Sequence, residues 1–416
     1  MKIRALNAVL LATTLLLMPS CENDSSDDIK IEEFIKDANA IETDFSVPST
    51  YIFERNSETT VSFSGQTTRL LMNKEILGYF GVDAGKTSTQ IEAAFDHQAG
   101  AQDFSTTELN DSNKSVKSKI AASDDLFDTD IIAADAVKEV FSGYISKNAI
   151  EVVANKTNMA SPGAPGYITN GSKTRYVNPK GLEYNQAFAK GSIGSLIVDQ
   201  VLNNYLGSQR LSNSAYRAAH EAGTLESGKN YTKLEHYFDE AYGYVYGDPT
   251  VDFESPIDYE GDAFLFKYIT RVNGDVDFAG IQEQIFKAFK IGRAALVAQD
   301  YDALNDAITV LQYQISKVIG VRAVYYLQAG KRALADQDFT TAFHDLSEGY
   351  GFVYSLQFTR NPETDAPYLS ASEVDALIAQ LEAGDGFWDL TDGTVLDQVS
   401  NNIASKFDFS TAQAAE

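Results

Sequence analysis

From residue 130 onward, apolar residues recur at the three- and four-residue steps of an amphipathic helix. Ile131, Ala134, Val137, Phe141 and Ile145 follow this spacing in the first such stretch. The same periodicity predicts helices over residues 187–206, 231–246, 263–272, 278–298, 301–335, 339–358, 371–381 and 394–407. The predicted fold is therefore mainly α, with the helices packed as bundles.

The N-terminal part of the chain has a more mixed pattern. Residues 50–63 alternate between apolar and polar, which predicts a small β-hairpin or an irregular segment, and helices are expected near residues 70–80 and from Ser88. Residues 101–125 are polar and are interpreted as a loop. Residues 155–181 contain three prolines and four glycines, which predicts a long surface segment, and no strand is predicted after residue 130.

One sequence pattern occurs twice in the predicted helices. His236, Glu240, Tyr242, Gly243 and Tyr246 are matched in register by His344, Glu348, Tyr350, Gly351 and Tyr354. The repeat predicts duplicated helical bundles, with an N-terminal half at residues 45–260 and a C-terminal half at residues 261–416. The two glycines, each inside a predicted helix, are predicted to be close-approach positions.

Each copy places an imidazole and a carboxylate four residues apart, hence on one helix face. Asp239, three residues after His236, can join the first pair. Imidazole and carboxylate groups together bind iron or zinc, so His236, Asp239, Glu240, His344 and Glu348 are candidate metal or ligand contacts. The alternative is that both pairs are structural. His97 and His220 lack a ligand pattern and are interpreted as surface or packing residues.

The first twenty residues have the pattern of an export signal. Lys2 and Arg4 precede a short apolar run that ends at Met18, and Pro19-Ser20-Cys21 closes the segment. We expect cleavage before Cys21, lipid attachment to this cysteine, and an acidic tether over residues 21–44. The expected location is the bacterial cell envelope, held to a membrane by lipid.

Charge, cysteine content and the absence of certain motifs argue against several classes of function and site. The formal net charge is −26, which disfavours nucleic acid as a partner because phosphate binding needs a basic surface. Cys21 is the single cysteine, so the chain forms no internal disulfide. Glycine-rich nucleotide-binding motifs and the Gly-x-Ser-x-Gly motif do not occur in the sequence.

The segment Asn178-Pro-Lys-Gly-Leu-Glu-Tyr184 and the two histidine repeats resemble the DUF4856 family of Bacteroidetes lipoproteins, over about residues 45–410. More distantly, the chain resembles imelysin-like proteins, which are exported two-bundle proteins implicated in iron uptake. Their Gly-x-His-x-x-Glu signature is altered here. Leu234 and Ala342 replace the glycine, and Asp239 and Ser347 stand at the glutamate position.

These observations favour an envelope lipoprotein that acts as a binding protein, in the acquisition of iron or another metal or nutrient, rather than an enzyme. A metal-dependent hydrolase and an adhesion or assembly protein with structural histidines are the alternatives. The expected partners are the membrane, a metal or small ligand, and other envelope proteins.

Overall fold

The computed structural model describes residues 34–257, 259 and 261–416, and this part of the chain is mainly helical, as predicted. The predicted signal, Cys21 and the first part of the tether lie outside the described residues. Among the described residues, no helix is both long and apolar enough to span a membrane.

The longer α-helices are α1 (Ser64–Tyr79), α2 (Ser88–Phe95), α5 (Ile131–Lys147), α6 (Tyr184–Ser192), α8 (Ser214–Glu221), α9 (Lys233–Tyr246), α10 (Leu265–Asn273), α11 (Ile281–Ala298), α12 (Tyr301–Ala335), α13 (Phe339–Ser355), α14 (Ala371–Leu381) and α15 (Thr394–Ala404). The four-residue helices are α3 (Thr107–Asn110), α4 (Asp124–Phe127), α7 (Ser208–Leu211) and α16 (Thr411–Ala414). π-Helices span Asn148–Val152 and Ile193–Tyr205, and 3-10 turns span Lys117–Lys119, Val153–Asn155, Val276–Phe278, Leu356–Phe358 and Gly386–Asp389.

Within the described residues, two antiparallel hairpins accompany the helices. The first, β1 (Glu54–Arg55) with β2 (Glu58–Thr59), confirms the predicted N-terminal hairpin. The second, β3 (Gly166–Asn170) with β4 (Lys173–Val177), lies in the segment interpreted as a surface loop, so the absence of strands after residue 130 was a wrong prediction. Its strands are rich in β-branched and aromatic residues, and a two-residue turn that begins with Gly171 at φ +60° joins them.

Helices α11, α12 and α13 follow one another through short turns and pack together around the 35-residue helix α12. Gln299 and Gln337 each adopt a left-handed conformation that ends a helix. The next residues, Asp300 and Asp338, then accept a backbone N–H as N-caps of the following helix. These turns reverse the chain, so consecutive helices bury their apolar faces against each other.

The predicted halves lie directly against each other, because α13 packs on α6 and on the π-helix Ile193–Tyr205, and residues 34–416 form one compact unit. The repeated glycines are close-approach points in both copies, as predicted. A Cβ atom at Gly243 would overlap Phe63, and one at Gly351 would lie 2.5 Å from Cβ of Lys190. Duplication of two bundles stays a prediction.

Candidate functional site

The four histidines fall into two groups according to their hydrogen bonds. Both ring nitrogens of His97 have partners, Asp103 at 2.6 Å and the Asn110 carbonyl at 3.1 Å. His220 is held in the same way by the Thr232 hydroxyl at 2.6 Å and the Leu296 carbonyl at 2.7 Å. These two buried histidines are structural, so of the two interpretations, surface or packing, the structure shows packing. His236 and His344 are held differently.

In the second repeat, the two members of the predicted His-Glu pair each have a different partner. Nδ1 of His344 lies 2.6 Å from Oε2 of Glu183, which precedes α6. Glu348 instead pairs with Lys190 at 2.7 Å. Although burial alone would raise its pKa, the ammonium of Lys190 and then His344 lower the pKa of Glu348 to about 2. This carboxylate is therefore neutralised by a lysine of the neighbouring helix.

Asp239 does not join His236, contrary to one possibility drawn from their spacing. It is fully buried, 3.0 Å from Nε of Arg293, and it accepts a hydrogen bond from the Tyr51 hydroxyl at 2.9 Å. Glu235 also pairs with Arg293, at 3.3 Å, and with Arg55, at 2.9 Å. Asp239 thus belongs to an ionic network that joins α9 to α11 and to the N-terminal segment.

His236 and Glu240 do lie together on α9, with Nε2 and Oε2 separated by 3.9 Å. The imidazole stacks on Tyr231, with centroids 4.5 Å apart and planes at 17°. Its Nδ1 is buried without a hydrogen-bond partner among the described residues. Glu240 accepts a hydrogen bond of 3.0 Å from the Gln66 amide on α1. The first repeat therefore keeps the predicted pair and leaves one imidazole nitrogen unpartnered.

The five candidate residues thus contact four different sets of partners and do not form one cluster. In the described part of the chain, no group of three or more His, Cys, Asp or Glu side chains could hold a metal ion. Iron or zinc binding stays a prediction that these contacts do not support.

His236 and Glu240 instead line a cavity of about 520 Å³, which we call the His236 pocket. Tyr205 and Tyr231 contribute aromatic surface to it. Glu240 is the single carboxylate among its lining residues, whereas the basic lining residues are Arg69, Lys114, Lys119, Arg210 and Lys229. The excess of positive charge inside this cavity contrasts with the acidity of the whole chain.

Arg69 is the most deeply placed of these cations, with only 8% of its surface exposed. Its guanidinium donates to the backbone carbonyls of Ser115, at 3.2 Å, and Gly65, at 3.3 Å. In the part of the chain that the structure describes, Arg69 and the three pocket lysines form no ion pair with a carboxylate, whereas Arg210 pairs with Asp124 at 3.0 Å. A buried guanidinium without a counter-ion is costly, and a bound anion would offset that cost.

The lowered pKa of Lys119 reflects its burial and the repulsion between these charges. Burial, the largest cause, together with the positive charges of Arg69 and Arg210 lowers the pKa of Lys119 to about 8. Its ammonium lies 5.5 Å from the centroid of the Tyr205 ring, and the Arg210 guanidinium lies at the same distance from that ring. Two cations of the pocket therefore lie near the same aromatic ring, and the charge on Lys119 is held there at an electrostatic cost.

Sequence reasoning found the two pocket residues on α9 but not the basic ones. Arg69 comes from α1, Lys114 and Lys119 from the stretch interpreted as a loop, and Arg210 from α7. No local spacing connects these segments, so their convergence is visible only in the fold.

Comparison with known proteins identifies a family without indicating an activity. No curated protein and no solved structure shows significant similarity to the chain. A family model matches residues 48–410, which is most of the sequence and close to the extent expected from the resemblance. The chain therefore belongs to the family described as a domain of unknown function, DUF4856.

Proposed function

We propose that this protein binds a small anionic ligand in the His236 pocket and acts as a binding protein of the cell envelope, anchored by lipid on Cys21. The observation that carries the proposal is the set of five basic side chains and one carboxylate around a cavity of about 520 Å³. A cavity of this size is typical of small-molecule sites, and a few charged groups fix the ligand within it.

The way in which the pocket is built also supports ligand binding. Arg69 and Glu240 project from the packed helices α1 and α9, and the Gln66 amide joins Glu240 to α1. Charged groups held before the ligand arrives lose little conformational freedom on binding. Burial contributes most to the lowered pKa of Lys119, and an anion would offset the repulsion from Arg69 and Arg210 that adds to it. The pocket is thus preorganised for a negative charge.

The same charges argue against a free metal cation as the ligand. A divalent cation beside His236 and Glu240 would be repelled by the neighbouring lysines and arginines. These contacts likewise supply no observation that favours the hydrolase or the adhesion role. The proposal keeps the binding role predicted from the sequence, but the proposed ligand is an anion and not a metal cation.

Isothermal titration of the mature protein with inorganic phosphate, sulfate and citrate, at low ionic strength and pH 7, tests the proposal. We expect at least one of these anions to bind with a stoichiometry near one. Lys119→Met should weaken this binding about 10-fold or more, because a charge-assisted hydrogen bond is worth roughly 1.5–3 kcal/mol.

Lys138→Met is the matched control, because Lys138 lies on α5, away from the pocket, and pairs with Asp135 on the surface. It should leave the affinity unchanged. If none of the three anions binds, or if the two variants weaken binding equally, the proposal is overturned.

A further inference from the structure

Glu240 is the unusual member of the His236 pocket, since it places a negative charge where an anion is expected to bind. Its carboxylate is held by the Gln66 amide at 3.0 Å and faces the imidazole of His236 at 3.9 Å. The same amide nitrogen of Gln66 lies 3.3 Å from the Tyr205 hydroxyl. Glu240 is therefore fixed among the basic residues that line the cavity.

A carboxylate in this position distinguishes oxyanions that carry a proton from oxyanions that do not. It repels an oxyanion that carries no hydrogen-bond donor, whereas it accepts a hydrogen bond from one that keeps a hydroxyl. Near neutral pH, phosphate groups are close to their second pKa of about 6 and keep a proton part of the time. Sulfate has no proton to donate in this range, although its size and shape are similar.

The cavity also has room beyond a single oxyanion. Its volume is about 520 Å³, whereas one water molecule occupies about 30 Å³ in the liquid. Tyr205 and Tyr231 provide aromatic surface beside the charged groups, suited to the less polar part of an organic ligand. The space and its lining are compatible with a phosphate group joined to a small organic moiety.

We propose that the His236 pocket recognises a phosphate-type group that carries a hydroxyl, and that Glu240 selects this group against sulfate. This inference rests on the proposed function and specifies its ligand class. The guanidinium of Arg69 and the ammonium of Lys119 balance the charge of the phosphate, while Glu240 accepts a hydrogen bond from the ligand. Inorganic phosphate and a phosphate ester share this chemistry.

The test compares the affinities of wild-type protein and Glu240→Gln for inorganic phosphate, glycerol phosphate and sulfate at pH 6.5. Glutamine keeps the shape of the side chain and can still accept from Gln66, but it removes the negative charge. Wild-type protein should bind phosphate or glycerol phosphate at least 10-fold more tightly than sulfate. In Glu240→Gln the ratio should fall to about 3-fold or less, mainly because sulfate binds more tightly.

Asp135→Asn is the control, because it removes a surface carboxylate on α5 outside the pocket and should leave the ratio unchanged. A purely structural Glu240 would change stability but not this ratio. Tighter binding of glycerol phosphate than of phosphate would identify an ester as the ligand, and the reverse order would identify the free anion.

Equal affinity of wild-type protein for phosphate and sulfate, or an unchanged ratio in Glu240→Gln, would overturn the inference. Binding of citrate alone would also overturn it while the proposed anion-binding function stands. If none of the anions binds, the proposed function itself is overturned.

Discussion

The imidazole of His236 stacks on the phenol ring of Tyr231, with the planes 17° apart. This contact holds the ring beside Glu240 in the lining of the His236 pocket, while its Nδ1 has no partner among the described residues. The matching His344 is instead held by Glu183 at 2.6 Å. One repeated sequence thus places a histidine at a candidate ligand site in one copy and in a helix interface in the other.

Lys119→Met should make the protein more stable while it weakens anion binding. The substitution removes a charge that burial and two arginines disfavour, so we expect the free energy of unfolding at pH 7 to rise by about 1–2 kcal/mol. Urea denaturation measures this change, with Lys138→Met as the surface control. A less stable Lys119→Met variant would mean that Lys119 supports the fold and is not held there for a ligand.

Anion affinity should fall as the pH rises through about 8. Lys119 attracts the anion only while protonated, and its pKa is lowered to about 8. The charged groups that act on it are Arg69, Arg210, Glu240 and Asp124. Titration with sulfate, whose charge is constant, from pH 6.5 to 9.5 measures the effect. Lys119→Arg keeps its charge over this range and should remove the step, and a step that persists in this variant would assign it to another group.

Gly243→Ala and Gly351→Ala should each destabilise the protein by about 1–3 kcal/mol, since the added methyl group would meet Phe63 or Lys190. Gly143, in the middle of α5, has no atom within 4 Å of the equivalent position. Gly143→Ala should therefore stabilise the helix by about 0.5–1 kcal/mol. Thermal or urea unfolding of the three variants decides the matter, and a loss in Gly143→Ala equal to the others would refute the close-approach explanation.

Asp199 should make stability depend on pH. Burial raises its pKa to about 6 from 3.8, although the Ser123 hydroxyl and two amides donate to it. The folded state therefore binds the proton of the Asp199 carboxyl more tightly than the unfolded state does. This difference stabilises the folded state by about 3 kcal/mol. The stabilisation is complete below pH 3.8 and is lost as the pH rises through about 6. Asp199→Asn should flatten this part of the unfolding profile, and Asp135→Asn should not. An identical slope in Asp199→Asn and wild-type protein would contradict the assignment.

Cys21→Ser should prevent lipid attachment and release the protein from the membrane fraction. This residue lies outside the described part of the structure, and the prediction depends on its position at the end of the expected export signal, separated from the apolar run by two residues. Metabolic labelling with palmitate, followed by separation of membrane and soluble fractions, gives the result. Label retained in Cys21→Ser would place the acyl group elsewhere.

Helix boundaries were predictable where local signals and periodicity agree. Helix α12 has the predicted bounds, Tyr301–Ala335, and it begins after the N-cap Asp300. The hairpin after Gly166 was missed because its glycines and the nearby prolines were interpreted as a loop, although Gly171-Ser172 joins two β-branched stretches. Local pattern identifies an element only when a single interpretation fits it.

The candidate site was predictable in part. The repeat singled out His236 and Glu240, because a ligand pair on one helix has a fixed spacing. Arg69, Lys119 and Arg210 join them from other segments, and each is an ordinary basic residue in its own neighbourhood. The sign of the charge in the pocket, which determines the class of ligand, therefore depends on tertiary structure.

The basic pocket belongs to a chain of net charge −26. At physiological ionic strength, electrostatic forces extend only about 8 Å, and they reach further in dilute salt. In dilute salt, an approaching anion therefore meets the repulsion of the whole molecule before it reaches the attraction of the cavity. Moderate salt should accelerate capture even as it weakens the final complex, so the encounter would have a salt dependence opposite to that of electrostatically steered association.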